Sequence, residues 1–241
     1  MELFGKTDVG RVRRQNQDAF YISEMAPVVL LVCDGMGGAK AGNVASAMAV
    51  EVFKTECGRL LTEDTAPEDL EVILPGIVDL CNETVFELSH VNEDYDGMGT
   101  TLVAAVCCGD RAVVINVGDS RCYRLSHGVL TQVTKDHSLV QDMVDRGDIT
   151  REESRTHPHK NLITRAVGTM STVETDLFTV PMETGDLLLL ASDGLTNVVT
   201  DREIEDELRA TDSARASGER LLDCALRRGA PDNVTLVLYR K

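Results

Sequence analysis

At 241 residues with 43% hydrophobic content, the chain can bury a sizeable core. Sandwiches of about 200–250 residues often stay undivided, so one domain over residues 1–241 is expected. Only 4% of residues are aromatic and Trp is absent, so aliphatic side chains must fill that core; 40 Asp and Glu against 24 Lys and Arg leave a net charge of −16, which repels nucleic acid and anionic membranes.

In chain order, a strand is predicted at 19–23, followed by the continuously apolar run 28–33. Two helices come next. Ala41, Val44, Ala45, Met48, Ala49, Val52 and Phe53 keep the spacing of one apolar face. Leu70, Ile73, Leu74, Ile77, Leu80, Cys81, Val85 and Leu88 continue it in a second helix, which Pro75 should kink or delay. Strands 102–108 and 112–117 follow, joined by a hairpin turn at Gly109-Asp110, then a strand at 121–125. Residues 135–173 are polar and weakly periodic, and read as a flap beside the site. Thr150-x-x-Glu153 and Thr200-x-x-Glu203 are capping boxes. Further strands are predicted at 175–180, 187–191 and 234–240, and a last helix near 213–228.

Runs without alternation mean strands covered on both faces. The order lacks strict β-α alternation, which disfavours a parallel doubly wound sheet. Doubly covered strands with two groups of helices suggest two stacked sheets with helices outside each. Seven cysteines without a C-x-x-C pair read as small core hydrophobes in a reducing compartment. The start Met1-Glu2-Leu3-Phe4-Gly5 lacks the basic and apolar segments of a signal peptide, and no apolar run approaches the ~18 residues of a membrane helix. A cytoplasmic protein is expected, and nothing in the chain asks for more than a monomer.

Six aspartates stand where chemistry asks for them: Asp18 in Asn16-Gln17-Asp18, Asp34 in Asp34-Gly35-Met36-Gly37-Gly38, Asp119 in Gly118-Asp119-Ser120-Arg121, Asp136 in Asp136-His137-Ser138, Asp193 in Ser192-Asp193-Gly194, and Asp232 in Pro231-Asp232-Asn233. Most of them begin or end a predicted strand, and strand edges gather distant side chains at one end of a sheet. Clustered carboxylates repel unless a cation joins them, which points to a hard-metal site. Oxygen ligands favour Mg²⁺ or Mn²⁺ over zinc or copper. Any one of these aspartates could instead be a turn residue, Asp-Gly being a common turn signal. His137, His157 and His159 read as capping, packing or flap-lining residues rather than metal ligands. Thr100 and Thr101 read as structural. No Cys-x5-Arg loop offers a phosphocysteine route.

Together with Arg13, Met98-Gly99-Thr100-Thr101 and Thr164-Arg165-Ala166-x-Gly168, these motifs resemble the metal-dependent protein Ser/Thr phosphatases of the PP2C (PPM) family in their compact bacterial form. The resemblance runs from Thr7-Asp8-Val9-Gly10 to Pro231-Asp232-Asn233-Val234-Thr235. It implies an α+β fold, a four-layer α-β-β-α sandwich of two mainly antiparallel sheets flanked by helix pairs. It implies phosphoserine and phosphothreonine hydrolysis by a water bridging two Mn²⁺ or Mg²⁺ ions, with phosphorylated proteins as substrates and a bacterial Ser/Thr kinase as the usual partner. It also implies roles. Asp34 would bridge the two ions, the Gly35 carbonyl would bind one, and Asp193 and Asp232 would hold the other. Asp18 would reach them through water, Asn233 would orient a ligand, and Asp119 with Asp193 would hold a weaker third ion. Arg13 would grip the substrate phosphate. One departure stands out. Many members carry a His after Gly-Met-Gly-Gly as a candidate acid for the leaving oxygen; this chain has Ala39, then Lys40. Two alternatives follow, a pseudophosphatase that binds phosphoproteins without efficient turnover, and a small-molecule phosphatase on the same fold.

Overall fold

The computed structural model describes residues 1–91 and 93–241, and of residues 38–40 the backbone alone. In chain order the elements are β1 (Glu2–Asp8), β2 (Asp18–Ile22), β3 (Val28–Met36), α1 (Gly38–Leu60), α2 (Pro67–Val91), β4 (Gly99–Thr100), β5 (Leu102–Cys108), β6 (Arg111–Val117), β7 (Arg121–Ser126), β8 (Val129–Gln132), α3 (Leu139–Arg146), α4 (Arg151–Ser154), β9 (Asp176–Pro181), β10 (Leu187–Ala191), α5 (Asp193–Thr196), α6 (Asp201–Arg209), α7 (Ala214–Arg227) and β11 (Val234–Arg240). One sheet runs β1-β11-β10-β7-β8 and the other β2-β3-β5-β6-β9, with β4 added beside β3. Each strand pairing is antiparallel.

Three apolar layers hold the sandwich together. Between the sheets lie Leu30, Val32, Val103, Val114, Leu188, Leu190 and Val237. The alternate residues of the same strands, Leu31, Ala104 and Ile115 among them, face outward onto α1 and α2. On the other side Leu189, Leu236 and Leu238 meet Ile204, Leu208, Leu221 and Leu222 of α6 and α7. This is the four-layer α-β-β-α arrangement, and it explains the unbroken apolar runs: each central strand is buried on both faces. Helix α1 buries Ala41, Ala45, Ala49, Phe53 and Cys57, a strict i+4 stripe whose small residues let it lie close to β3. Both predicted capping boxes form, and Ser213 caps α7. The cysteines are free among the described residues, and all but Cys108 are buried.

Pro75 does not delay α2, which opens at Pro67, where a missing N–H costs nothing, and continues through Pro75. Three strands escaped the periodicity. β1 and β8 are edge strands with half-exposed residues and no apolar run; β4 is two residues long. The segment 135–173 holds the short helices α3 and α4, turns, and residues of two isolated antiparallel bridges, Ser138 with Ile163 and Val167 with Thr100. Ala39 belongs to the start of α1; its side chain, like that of Lys40, lies outside the described residues. No helix among the described residues is long and apolar enough to cross a membrane.

Candidate metal centre and active site

Antiparallel register brings the first two carboxylates together. Asp18 at the start of β2 stands opposite Asp34 near the end of β3. The second sheet contributes from its matching end: Asp193 follows β10 after Ser192, and Asp232 precedes β11, the adjacent strand. Asp119 sits on the connection from β6 to β7, where the chain passes from one sheet to the other. Five residues distant in sequence therefore meet at one end of the sandwich.

Hydrogen bonds fasten the ends to each other. The Ser192 hydroxyl donates to Asp18 Oδ2 at 2.8 Å and accepts the Thr235 N–H at 3.0 Å, joining both sheets through one side chain. The Asp34 backbone is gripped on both sides: its N–H donates to Thr101 Oγ1 at 2.9 Å, and its carbonyl accepts from Thr101 N and Thr100 Oγ1, both at 2.9 Å. Asn233 ties down the approach to β2. Its Oδ1 accepts the Gln17 N–H at 2.8 Å, and its Nδ2 donates to the carbonyls of Val9 at 2.9 Å and Gln15 at 3.0 Å. The Gln17 carbonyl in turn accepts from Ser46 of α1 at 2.6 Å and from Gly35 N at 3.0 Å. Gly35 has a packing reason: a Cβ there would collide with the Gly42 carbonyl of α1 and the Gln17 carbonyl. Gly194 likewise lies against the Asn233 carbonyl.

Asp34, Asp119, Asp193 and Asp232 line a cleft of about 430 Å³ together with Arg13, Gly35 and Asn233. Burial, then the Asp18 and Asp193 charges, hold the Asp34 carboxyl well above the usual carboxylate range. Burial followed by Asp193 does the same to Asp119, and burial followed by Asp232 raises Asp193. Burial pushes Asp18 up to about 6, against the opposing pull of the Thr235 and Ser192 hydroxyls. The carboxylates thus share burial as the first cause of their shifts, to which each other's charge adds. Arg13 is the near counter-ion, its Nη2 donating to Asp232 Oδ2 at 2.6 Å.

The donor set fits a hard divalent cation. It is all oxygen, it carries excess negative charge, and Asp18 Oδ1 and Asp193 Oδ1 are buried oxygens without a hydrogen-bond partner among the described residues. The carboxylates line a common cleft without being drawn to a single point: among the described residues no three His, Cys, Asp or Glu side chains are gathered closely enough to hold an ion.

Asp136 has a different occupation. Arg121 clamps it with contacts of 2.9, 3.0 and 2.6 Å, and Gln132 adds a bond at 3.0 Å. His137 is a packing and orienting residue. Its Nδ1 accepts the Gly118 N–H at 3.1 Å and its Nε2 lies 3.2 Å from Asp176. The His157 and His159 rings meet tilted at 55° with their centroids 5.6 Å apart, and neither lines the carboxylate cleft. Sequence reasoning missed Ser192 and Ser46 as organisers of the centre, and took Thr101 as structural without seeing that it positions Asp34. Ser192 and Thr101 adjoin motif residues already marked; Ser46 carries no signal of its own in a helix of small residues.

A sequence model of the family described as Protein phosphatase 2C matches residues 11–235. The chain is 40% identical over 239 residues to a serine/threonine phosphatase stp of Listeria monocytogenes, spanning 98% of this chain and 94% of that protein. The crystal structure of the serine/threonine phosphatase Stp1 from Staphylococcus aureus superposes with a TM-score of 0.94 at 36% identity, covering 100% of this chain and 94% of that one. The catalytic domain of serine threonine protein phosphatase PstP, solved in complex with two manganese ions, superposes with a TM-score of 0.85 at 38% identity, covering 98% and 96%.

Proposed function

The chain belongs to the protein phosphatase 2C family and is a protein serine/threonine phosphatase; from that premise we propose that it hydrolyses phosphoserine and phosphothreonine in proteins with two Mn²⁺ or Mg²⁺ ions held at the carboxylate cleft. Asp34 would serve both ions, with the Gly35 carbonyl on one and Asp193 and Asp232 on the other. Asp18 would act through an intervening water, and Asp119 with Asp193 would take a weaker third ion. When bound, such a pair supplies a bridging water of lowered pKa and screens the phosphoryl charge. The chain's own residues do the rest. Ser192, Thr101 and Asn233 fix the carboxylates and the Arg13 loop before substrate arrives, so little reorganisation is left for the reaction. Arg13, half-exposed at the cleft rim, is free to turn from Asp232 to a phosphate, since an exposed ion pair holds it by only about 0–1 kcal/mol.

The observation that carries this proposal is the convergence of four carboxylates and one arginine on a single cleft, where Asp193 Oδ1, like Asp18 Oδ1 opposite Asp34 in the strand register, has no hydrogen-bond partner among the described residues. The substrates would be phosphoproteins of a bacterial Ser/Thr kinase, and the free, mostly buried thiols suit the reducing cytoplasm. The test is phosphopeptide hydrolysis under metal titration. Activity should vanish in EDTA and return with Mn²⁺ or Mg²⁺, and Asp34→Ala should lose most because one carboxylate serves both ions. Full turnover in chelator would remove the proposal.

A further inference from the structure

A second, smaller cleft of about 60 Å³ opens beside the first, and Asp119 and Asp193 stand in the wall common to both. The segment between β8 and β9 contributes Arg151, Arg155 and Lys160 to the lining of this second cleft. The cations there are not equally committed. Arg121 is held by Asp136 at 2.6 Å. Arg151 is held by Gln132 at 2.6 Å and by Asp201 at 3.3 Å. Arg155 makes one long contact, to the Thr196 carbonyl at 3.4 Å. The Lys160 ammonium has no hydrogen bond or ion pair among the described residues, although its charge is felt at Asp193. Arg155, with one long contact, and Lys160, with none among the described residues, therefore line a narrow cleft together with Asp119 and Asp193, on a chain whose net charge is −16.

If Asp119 and Asp193 are occupied by cations, as the proposed function has it, the negative charge of the shared wall is neutralised, and with Arg121 already paired to Asp136 the charges of Arg155 and Lys160 leave the cleft attractive to anions. We propose that Arg155 and Lys160 form a subsite for an anionic group borne by the phosphoprotein beside the scissile phosphate, either an Asp or Glu carboxylate or a second phosphate. The cleft is large enough: a site of about 60 Å³ holds roughly four water-sized probes at about 15 Å³ each, the scale of one carboxylate or phosphate. The distance also suits. Asp119 and Asp193 line both clefts, so the two adjoin, and since consecutive Cα atoms of a substrate lie about 3.8 Å apart the subsite reads a residue close in sequence to the phosphoresidue. Asn161 and Ile163 line the main cleft while Lys160 lines the second, so one short stretch of chain faces both.

The experiment compares kcat/KM for three phosphopeptides of one sequence, in which the residues flanking the phosphothreonine are alanine, glutamate or a second phosphothreonine. Wild type should favour one or both anionic peptides over the alanine peptide by about three- to tenfold, the size expected of two partly exposed ion pairs. Preference for glutamate, for phosphate or for both identifies the group the subsite takes. In the double variant Arg155→Gln, Lys160→Gln the ratio should fall close to one. Because the ratio is taken within each variant, any general loss of activity or of folded protein cancels. Equal rates on all three peptides in wild type, or a preference that survives in the double variant, would overturn the subsite. Failure to hydrolyse even the alanine peptide with Mn²⁺ would instead remove the phosphatase assignment on which the subsite rests.

Discussion

Asn233→Ala is the sharpest test of how the centre is built. Asn233 is 4% exposed and uses three of its polar valences at once, on Gln17 N–H and on the Val9 and Gln15 carbonyls. Truncation removes all three of these side-chain hydrogen bonds to the backbone. A buried unsatisfied group costs about 1–3 kcal/mol; since these are only partly buried, about 1 kcal/mol each is appropriate, or about 3 kcal/mol together. For a chain of this size that lowers Tm by about 6–12 °C. A domain with about 5–15 kcal/mol to lose still folds. Asn233→Asp should not rescue, because it keeps the acceptor for Gln17 but sets a negative charge against two carbonyl oxygens. The functional consequence lies in the same bonds: residues 9–17 carry Arg13, so loosening them should raise KM for a phosphopeptide several-fold. Thermal unfolding should be recorded in EDTA, so that metal binding does not add its own stabilisation, and KM measured separately with Mn²⁺. A Tm drop below about 3 °C, or a drop with unchanged KM, would refute the view that Asn233 is the fastener of the Arg13 loop.

Arg13→Ala should raise KM for phosphopeptide about tenfold while Mn²⁺ affinity, measured by calorimetry, holds or tightens, because a competing cation leaves Asp232; weakened Mn²⁺ binding with unchanged KM would reverse its assigned role. Ala39→His should speed phosphopeptide turnover more than nitrophenyl phosphate turnover, since a serine alkoxide needs a proton that an aryl oxide does not, and general acid catalysis contributes about 10²–10⁴-fold; an equal change on both substrates would mean that the acid is supplied elsewhere. His137 bears on pH. Burial lowers its folded pKa, partly opposed by Asp176, so the unfolded chain binds the extra proton first. Its contribution to stability is therefore complete above the unfolded value of about 6.5 and fades as pH falls below it. His137→Asn keeps an acceptor for Gly118 but cannot titrate, so its unfolding midpoint should depend less on pH between 7.5 and 5.5; identical slopes in the two proteins would contradict this.

Much of the molecule was legible in the chain. Strands 28–33, 102–108 and 187–191 carry unbroken apolar runs because both their faces are buried, and that pattern survives in the sequence. The same holds for the i+4 stripe of α1, for the capping boxes at Thr150 and Thr200, whose chemistry spans four residues, and for the aspartates at strand ends. What the chain could not carry is anything whose partner lies far away. β1 is a strand only because β11 offers it a ladder from Glu2↔Arg240 to Asp8↔Val234, and an edge strand exposed on one side needs no apolar run. The pairing of Asp18 with Asp34 depends on the register of β2 against β3, and a one-residue slip would turn one of them away. Ser192 and Ser46 are ordinary serines until two sheets and a helix bring Asp18 and Gln17 within reach of their hydroxyls. Arg155 and Lys160 are ordinary surface cations until the chain folds them into one cleft with Asp119 and Asp193. Residue types and local periods follow from short-range chemistry and are written in order along the sequence; contacts between residues 170 or more positions apart are decided by packing of the sheets, which only the tertiary structure settles.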